Sequence, residues 1–414
     1  MIRSLFVSDV LPRRPAGGAE QRMEVVTGAL AALGPVDALF LAPPDTVLPP
    51  EETARFARTG FATVPPYTGT RAFLEIAARG PSAAYAAHQR RSLATAVPRW
   101  ATGTRYTLVW FNRERAWLPL RGRFTGRSVV DVDDFEEVLI RRWARLGRGV
   151  WGRELTPWQR VQARRSIAWW GRVHQRVARE TDVAVVACAD DAARLGAERT
   201  VVMRNTYPKR PPGPARPGGG RTTILFQGSF DWPPNADAAR WLTGGILPLI
   251  HRRVPDARVV LAGRATQEVT ALAGPHVEVT GRVPDMTPYL READLVVVPL
   301  RVGSGTRIKI LEAFAHGVPV VSTTIGAEGL DVVPGEHLDI ADTAEDLARA
   351  CADLLTDAAR GSAMTVAAGR LHLRQYLPEH AAAQVRLAAR RATAERPGAG
   401  AVARSSPPGT PQGV

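Results

Sequence analysis

Cysteine is almost missing from this 414-residue chain: Cys188 and Cys351 are the only two. Two thiols cannot build a disulfide framework, and no CxxC or His/Cys spacing suggests zinc, so a reducing compartment fits best. Lysine is as scarce. Of 54 basic residues only Lys209 and Lys309 are lysine, and the rest are arginine. Nucleic-acid binders usually mix the two, so the formal charge of +14 is weak evidence for a phosphate-backbone footprint. Long apolar runs are also lacking. No segment approaches the roughly 18 residues of a membrane span, and the apolar stretch in the opening MIRSLFVSDVLPRRP is too short for a signal peptide. The expectation is a cytoplasmic protein, peripheral to the inner face of a membrane at most, with no bound metal and no nucleic-acid partner. What is present is a hydrophobic content of 45% with ten tryptophans, enough for packed cores and incompatible with global disorder. The length suits two domains.

The chain opens as a strand (Ile2–Ser8), a glycine turn, a helix (Ala19–Leu33) and a second strand (Val36–Leu41), which is a βαβ unit with a parallel sheet. Leu108–Phe111, Ser128–Val132 and Val183–Ala187 read as further strands. Residues 207–221, YPKRPPGPARPGGGR, break the rhythm, because proline cannot donate to a ladder and glycine is too free. The alternation then restarts with a strand at Thr223–Phe226, a helix at Asp237–Arg252, and strands at Ala257–Leu261, Val277–Thr280, Leu295–Val298, Val318–Ser322 and His337–Ile340. The expected architecture is α/β: two doubly wound, Rossmann-like domains facing across a cleft, since such sheets bind ligands beyond their strand carboxyl ends. The boundaries expected are 1–206, a linker at 207–221, a second domain at 222–375, a helix at 376–395 and a Pro/Gly/Ser-rich disordered tail at 396–414.

The densest chemistry lies in Val298–Leu330, VPLRVGSGTRIKILEAFAHGVPVVSTTIGAEGL. A buried strand runs into Gly303-Ser304-Gly305, and a helix begins near Thr306. Free N–H groups and the helix dipole at such a junction favour an anion. Arg307 and Lys309 add positive charge in the first turns, and Glu312 can accept from sugar hydroxyls such as a ribose diol. Together they suit a nucleotide diphosphate.

This stretch resembles the C-terminal signature of the group 1 (family 4) glycosyltransferases, two-domain GT-B enzymes that use nucleotide-diphosphate sugars. Gly228–Ile250 is similar to the opening βα of that family's donor domain, and Val279–Leu300 to the segment before the signature. Pro15-Ala16-Gly17-Gly18-Ala19-Glu20 resembles the glycine loop after the first strand, and Thr181–Pro208 the last βα of the acceptor domain. The resemblance implies that Lys309 and Arg307 neutralise the departing diphosphate, that Glu312 binds the ribose, and that the backbone around Val283 meets the base. Gly17 and Gly18 would approach the phosphates from the opposite domain, with Gly228, Arg264, Gly303, Ser304, Gly305 and Thr306 completing the donor site. Two departures stand out. Retaining members usually carry glutamates eight positions apart, yet eight before Glu312 is Ser304. The basic residue many members carry after the first donor-domain strand is also absent from Phe230-Asp-Trp-Pro-Pro-Asn235.

The implied activity is transfer of a sugar to an acceptor hydroxyl, with retention, in envelope polysaccharide or natural-product glycoside synthesis. The nucleotide sugar is a co-substrate and no cofactor is implied. The acceptor would be a glycan, a lipid-linked precursor or a small molecule. A nucleotide-sugar epimerase and a non-catalytic sugar-nucleotide-binding protein are the alternatives. Acceptor-side candidates are Asn112 and Arg113 at one strand end and Asp131, Asp133 and Asp134 at the next, with Asp133 in a catalytic role. The competing reading of the acidic trio is N-capping of the helix that starts near Phe135. Glu20 reads better as a dipole partner than as a catalyst, His316 as a packing or capping residue, and Cys188 as core. Residues 138–180 hold eleven arginines, two glutamates and Trp143, Trp151, Trp158, Trp169 and Trp170. They read as a solvated helix pair, with Ile167, Trp170 and Val177 packing inward, or as a docking surface for an anionic membrane; a third reading, RNA binding through Arg and Trp, has no recognised nucleic-acid motif beside it.

Overall fold

The computed structural model describes residues 1–12, 17–149, 153–210, 222–305 and 307–394. Pro15, Ala16, Trp151, Thr306, most of the expected linker and the expected tail lie outside the described residues.

Apolar runs bounded by turns build two all-parallel sheets. The first holds β1 (Ser4–Ser8), β2 (Val36–Ala42), β3 (Arg58–Thr63), β4 (Arg105–Asn112), β5 (Thr125–Val132), β6 (Val183–Val186) and β7 (Thr200–Val202), in the order β3-β2-β1-β4-β5-β6-β7. The second holds β8 (Thr223–Gln227), β9 (Arg258–Ala262), β10 (Val277–Gly281), β11 (Leu295–Val298), β12 (Val320–Ser322) and β13 (Asp339–Ile340), in the order β10-β9-β8-β11-β12-β13. Every pairing is parallel, so each connection is a crossover, and helices cover both faces. In each sheet the winding direction reverses beside the first strand, between β1 and β4 and between β8 and β11. Ligands of doubly wound sheets bind at that switch point.

The helices that matter below are α1 (Gly18–Ala31), α2 (Gly69–Arg79), α3 (Pro81–Ala96), α4 (Glu114–Leu120), α5 (Glu136–Arg145), α6 (Pro157–Glu180), α7 (Pro233–Trp241), α8 (Ile308–His316) and α9 (Pro378–Thr393). The last of these returns to the first sheet. Ala381, Val385, Ala388, Ala389 and Ala392 of α9 pack with Phe6, Met23, Val26 and Trp110, filling one face of that sheet. Where the chain passes between sheets, Tyr207 N–H donates to the Tyr376 carbonyl at 2.9 Å, and a His372 ring nitrogen lies 2.9 Å from the Tyr207 carbonyl.

Three local expectations need correction. Strands β3 and β7 carry no clear sequence signal: Arg58–Thr63 is an edge strand with a glycine and little burial, and Thr200–Val202 is three residues long. The helix expected over Asp237–Arg252 begins earlier, at Pro233, where prolines suit the first turn. It then relaxes into a π segment, Leu242–Ile246, at Gly244-Gly245. Finally, α8 starts at Ile308, so Arg307 is its N-cap residue with extended backbone rather than part of its first turn.

The two sheets are joined by more than the chain. Leu139 and Trp143 of α5 bury themselves against Val302 of the loop after β11. Trp143 is fully buried, and Arg142 between them donates to the Gly303 carbonyl.

Candidate active site

Strand β8 ends at Gln227, followed by Gly228, and α8 brings Lys309 and Glu312 against that end. Lys309 Nζ donates to Asn235 Oδ1 at 2.9 Å and sits 4.4 Å from the centroid of the Phe226 ring. Burial and then the Arg307 charge push its pKa down to about 7. Gln227 Nε2 donates to the Lys309 carbonyl at 3.0 Å and to Glu312 Oε2 at 3.3 Å. Burial pushes the Glu312 pKa up to about 7. An acid and a base whose charged forms are both disfavoured by burial are poised to gain from a ligand that restores charge complementarity.

Glycine is required where backbones meet at this end of the sheet. At Gly263, φ is +135° and a Cβ would lie 2.0 Å from the Gly228 carbonyl oxygen. A Cβ on Gly228 would reach within 3.1 Å of Lys309 Nζ. Arg264 and Val283 follow the carboxyl ends of β9 and β10. Arg264 is exposed and pairs with Asp231 at 2.9 Å and Ser229 Oγ at 3.1 Å, whereas Val283 is buried.

The glycine turn before α8 folds around Arg307. Its guanidinium donates to the Ser304 carbonyl and, at 2.6 Å, to the Gly305 carbonyl. Burial lowers its pKa, against the pull of Asp134 and Glu328. Arg307 thus braces the turn from within. The first sheet supplies the opposing wall. A Cβ on Gly18 would lie 3.0 Å from Ile308 Cδ1, so the start of α1 abuts the start of α8. Gly17 is the N-cap of α1, and Glu20 stands in its first turn, as dipole complementarity requires. A Cβ on Gly305 would lie 2.1 Å from Asp134 Oδ1. The acidic segment after β5 therefore faces the glycine turn after β11.

Two acceptor-side candidates turn out to be internal. Asp131 has no exposed surface and accepts both prongs of Arg22, at 2.9 and 2.7 Å. Arg22 also donates to the Met203 carbonyl and Asn205 Oδ1, each at 2.8 Å. Asn112 is buried and its amide donates to Ser8 Oγ at 3.0 Å, tying β4 to β1. In both, the side-chain polar groups are engaged within the first sheet's scaffold. N-capping is corrected: the N-cap of α5 is Phe135, with no side-chain cap. Asp133 Oδ1 accepts from Asn205 Nδ2 at 3.1 Å, and its side chain stays 18% exposed. Arg113 keeps 32% exposure while paired with Asp9 at 2.9 Å. Its φ of +81° is a strained value for a residue with a Cβ, the kind that functional sites retain. Cys188 is buried, with Sγ 3.2 Å from Asp191 Oδ2. His316 is half-buried in the last turn of α8, 6.2 Å from the Tyr207 ring, and burial pulls its pKa down to about 4, which fits a packing role.

Sequence reasoning missed Gln227, Asn235, Arg22 and Arg142. A polar residue ending an otherwise apolar strand was the available signal for Gln227. The Pro-Pro-Asn motif held the signal for Asn235, which receives the lysine ammonium. The partners of Arg22 and Arg142 lie more than 100 residues away and leave no local trace.

Residues 221–357 match the profile of a family described as glycosyl transferases group 1. Over 150 residues the chain is 31% identical to a phosphatidyl-myo-inositol mannosyltransferase of Mycolicibacterium smegmatis, covering 34% of this chain and 38% of that protein. It is 26% identical over 128 residues to an uncharacterized 44.6 kDa protein in the cps region of Klebsiella pneumoniae, covering 28% of this chain and 33% of that one. The chain thus spans about a third of the length of these curated relatives. Among solved structures, sucrose-phosphate synthase of Thermosynechococcus elongatus superposes with a TM-score of 0.67 at 17% identity, covering 94% of this chain and 98% of that chain. HepE of Anabaena, solved with UDP and glucose, gives 0.61 at 14% identity over 94% and 99%. Residues 221–357 thus match the group 1 glycosyltransferase profile, and the chain as a whole has the GT-B fold.

Proposed function

We propose that this protein transfers a sugar from a nucleotide-diphosphate sugar to an acceptor hydroxyl in the cleft between its two sheets, with retention of configuration and without a metal. The observation that carries this is the trio Lys309, Glu312 and Arg307 at the start of α8, opposed by Gly17 and Gly18 at the start of α1. Leaving-group charge grows as the sugar–phosphate bond breaks, and a preorganised ammonium at that point stabilises the transition state directly. A diphosphate entering the site re-ionises Lys309 and draws Arg307 off the carbonyls of its own turn. Glu312, held by Gln227, accepts from the ribose diol. The Asp133–Asp134 segment and Arg113 face the acceptor side, with Asp133 nearest a catalytic role. Ser304 replaces the carboxylate that would meet the donor sugar, so the backbone of the glycine turn takes over that contact.

The acceptor is an envelope glycan or a lipid-linked precursor. The mannosyltransferase relative acts, by its name, on a phosphatidyl-inositol lipid, and HepE holds UDP, which makes UDP the first donor nucleotide to try.

The test combines ligand binding and turnover. Thermal-shift screening against UDP, GDP, ADP and TDP should raise the melting temperature with one of them, since a ligand that binds only the folded state stabilises it. Lys309→Ala and Glu312→Ala should each cut sugar transfer by roughly 10²–10³-fold, the range seen when a transition-state charge contact is removed, and EDTA should leave transfer unchanged. Intact transfer in both variants would refute the site. Epimerisation of the donor with no acceptor present would refute the transferase reading.

A further inference from the structure

The first sheet carries a face that neither it nor the second sheet covers. Helix α2 buries a single residue, Ala72, and leaves Phe73 68% and Leu74 61% exposed. On α6, Trp158 is 53% and Val161 47% exposed, and Tyr85 of α3 is 44% exposed. Five of the thirteen large exposed hydrophobics among the described residues thus sit on three helices that touch one another. Arg165 of α6 fixes the arrangement: its guanidinium donates to the Ala77 carbonyl at 2.9 Å and to the Ala78 carbonyl, which are open ends of α2. Trp170 Nε1 donates to Ser82 Oγ at 3.1 Å, tying α6 to α3.

The same three helices hold ten arginines and two glutamates. Glu75 is matched by Arg91 at 2.8 Å and Arg71 at 3.2 Å, and Glu180, at the far end of α6, by Arg176 at 2.9 Å. Arg71, Arg79, Arg160, Arg164 and Arg172 remain exposed. The basic-aromatic stretch at 138–180 is therefore only half surface. Trp143 and Trp170 are core, Arg165 is bound to the carbonyls of α2 and Arg176 to Glu180, and much of the apolar face comes from α2.

We propose that this α2–α3–α6 face docks on an anionic lipid bilayer, with Phe73, Leu74, Trp158 and Val161 at the headgroup–acyl boundary and the arginines on lipid phosphates. Apolar side chains ringed by cations are what interfacial binding needs, because each contribution alone is weak and reversible. A second copy of the chain fits poorly, since self-pairing would set ten arginines against ten. Nucleic acid would use the arginines and stack on Phe73 and Trp158, but has no use for Leu74 and Val161. The inference deepens the lipid-linked-acceptor reading, yet rests on none of the donor-site assignments: vesicle binding can fail with transfer intact, and the reverse.

The full-length protein should co-sediment with phosphatidylglycerol-containing vesicles and not with pure phosphatidylcholine vesicles, and the binding should weaken as salt rises from about 50 to 500 mM. The double variant Phe73→Ser/Leu74→Ser should bind at least about tenfold more weakly, as should Arg164→Gln/Arg172→Gln. All four positions are exposed, and an unchanged melting curve confirms folding. The proposal fails if wild type ignores anionic vesicles, if the serine variant binds them equally well, if sedimentation shows the serine pair instead dissolving a dimer, or if RNA binding is what the variants lose.

Discussion

Arg142 of α5 and Glu328, six residues past the end of β12, close a two-pronged ion pair across the gap between the sheets, at 2.6 and 2.7 Å. The same guanidinium donates to the Gly303 carbonyl of the glycine turn. One residue of the first sheet's helices thereby holds both the loop that precedes α8 and the loop that follows β12. Although burial opposes ionisation, Arg142 keeps the Glu328 carboxyl below its ordinary pKa.

Arg142→Ala should loosen this closure without unfolding either sheet. Hydrogen bonds to charged groups are worth about 1.5–3 kcal/mol. We expect kcat/KM for transfer to fall by about tenfold or more, with greater exposure of Trp143 to quenchers. Unchanged kinetics and unchanged quenching together would show that the pair is ornamental to the cleft.

Gly305→Ala probes the same boundary from the other side. Its φ is +75° and the new Cβ would meet Asp134 Oδ1 at 2.1 Å. Backbone strain of about 1–3 kcal/mol adds to the clash. The variant should retain its circular dichroism spectrum and lose most nucleotide-dependent thermal stabilisation. A full shift with the cognate nucleotide would contradict the placement of the turn in the donor site.

Lys309 gives a pH signature with a defined sign. Its folded pKa of about 7 lies below the ordinary lysine value of 10.5, so between them the unfolded chain holds more protons. Its contribution to ligand-free stability therefore grows as pH rises from about 7 toward 10.5 and is lost as pH falls through 7. Lys309→Met should remove that slope and melt higher than wild type near neutral pH without ligand, while losing the nucleotide-induced shift. Nucleotide binding by wild type at pH 8 should take up a proton, seen as a buffer-dependent heat in calorimetry. Equal heats in buffers of different ionisation enthalpy would rule out re-ionisation of Lys309.

Arg22→Met tests the scaffold beneath the acidic segment. It strands the Asp131 carboxylate in the interior, and removing one partner of a buried pair costs about 3–5 kcal/mol. Denaturant unfolding should show that loss, with Arg22→Met/Asp131→Leu recovering part of it. A single variant as stable as wild type would mean that Asp131 is solvated and available to an acceptor.

Sequence alone determined the alternation of apolar strands and helices, and so the two doubly wound sheets, because burial on both faces writes continuous apolar runs locally. It also determined the residue types at the β11–α8 junction, since a glycine turn, a helix start and two cations lie within ten residues. Partnership was decided only by tertiary structure. Three acidic residues clustered at the end of β5 look equivalent in the chain, yet Asp131 is sealed by Arg22, 109 residues away, while Asp134 faces Gly305 of the other sheet. Likewise the tryptophans of 138–180 read alike, and packing made Trp143 core and left Trp158 outside. The physical reason is range. Helix and strand periodicity is set by neighbours a few residues apart, whereas desolvation and charge pairing depend on which distant segments the strand order brings together.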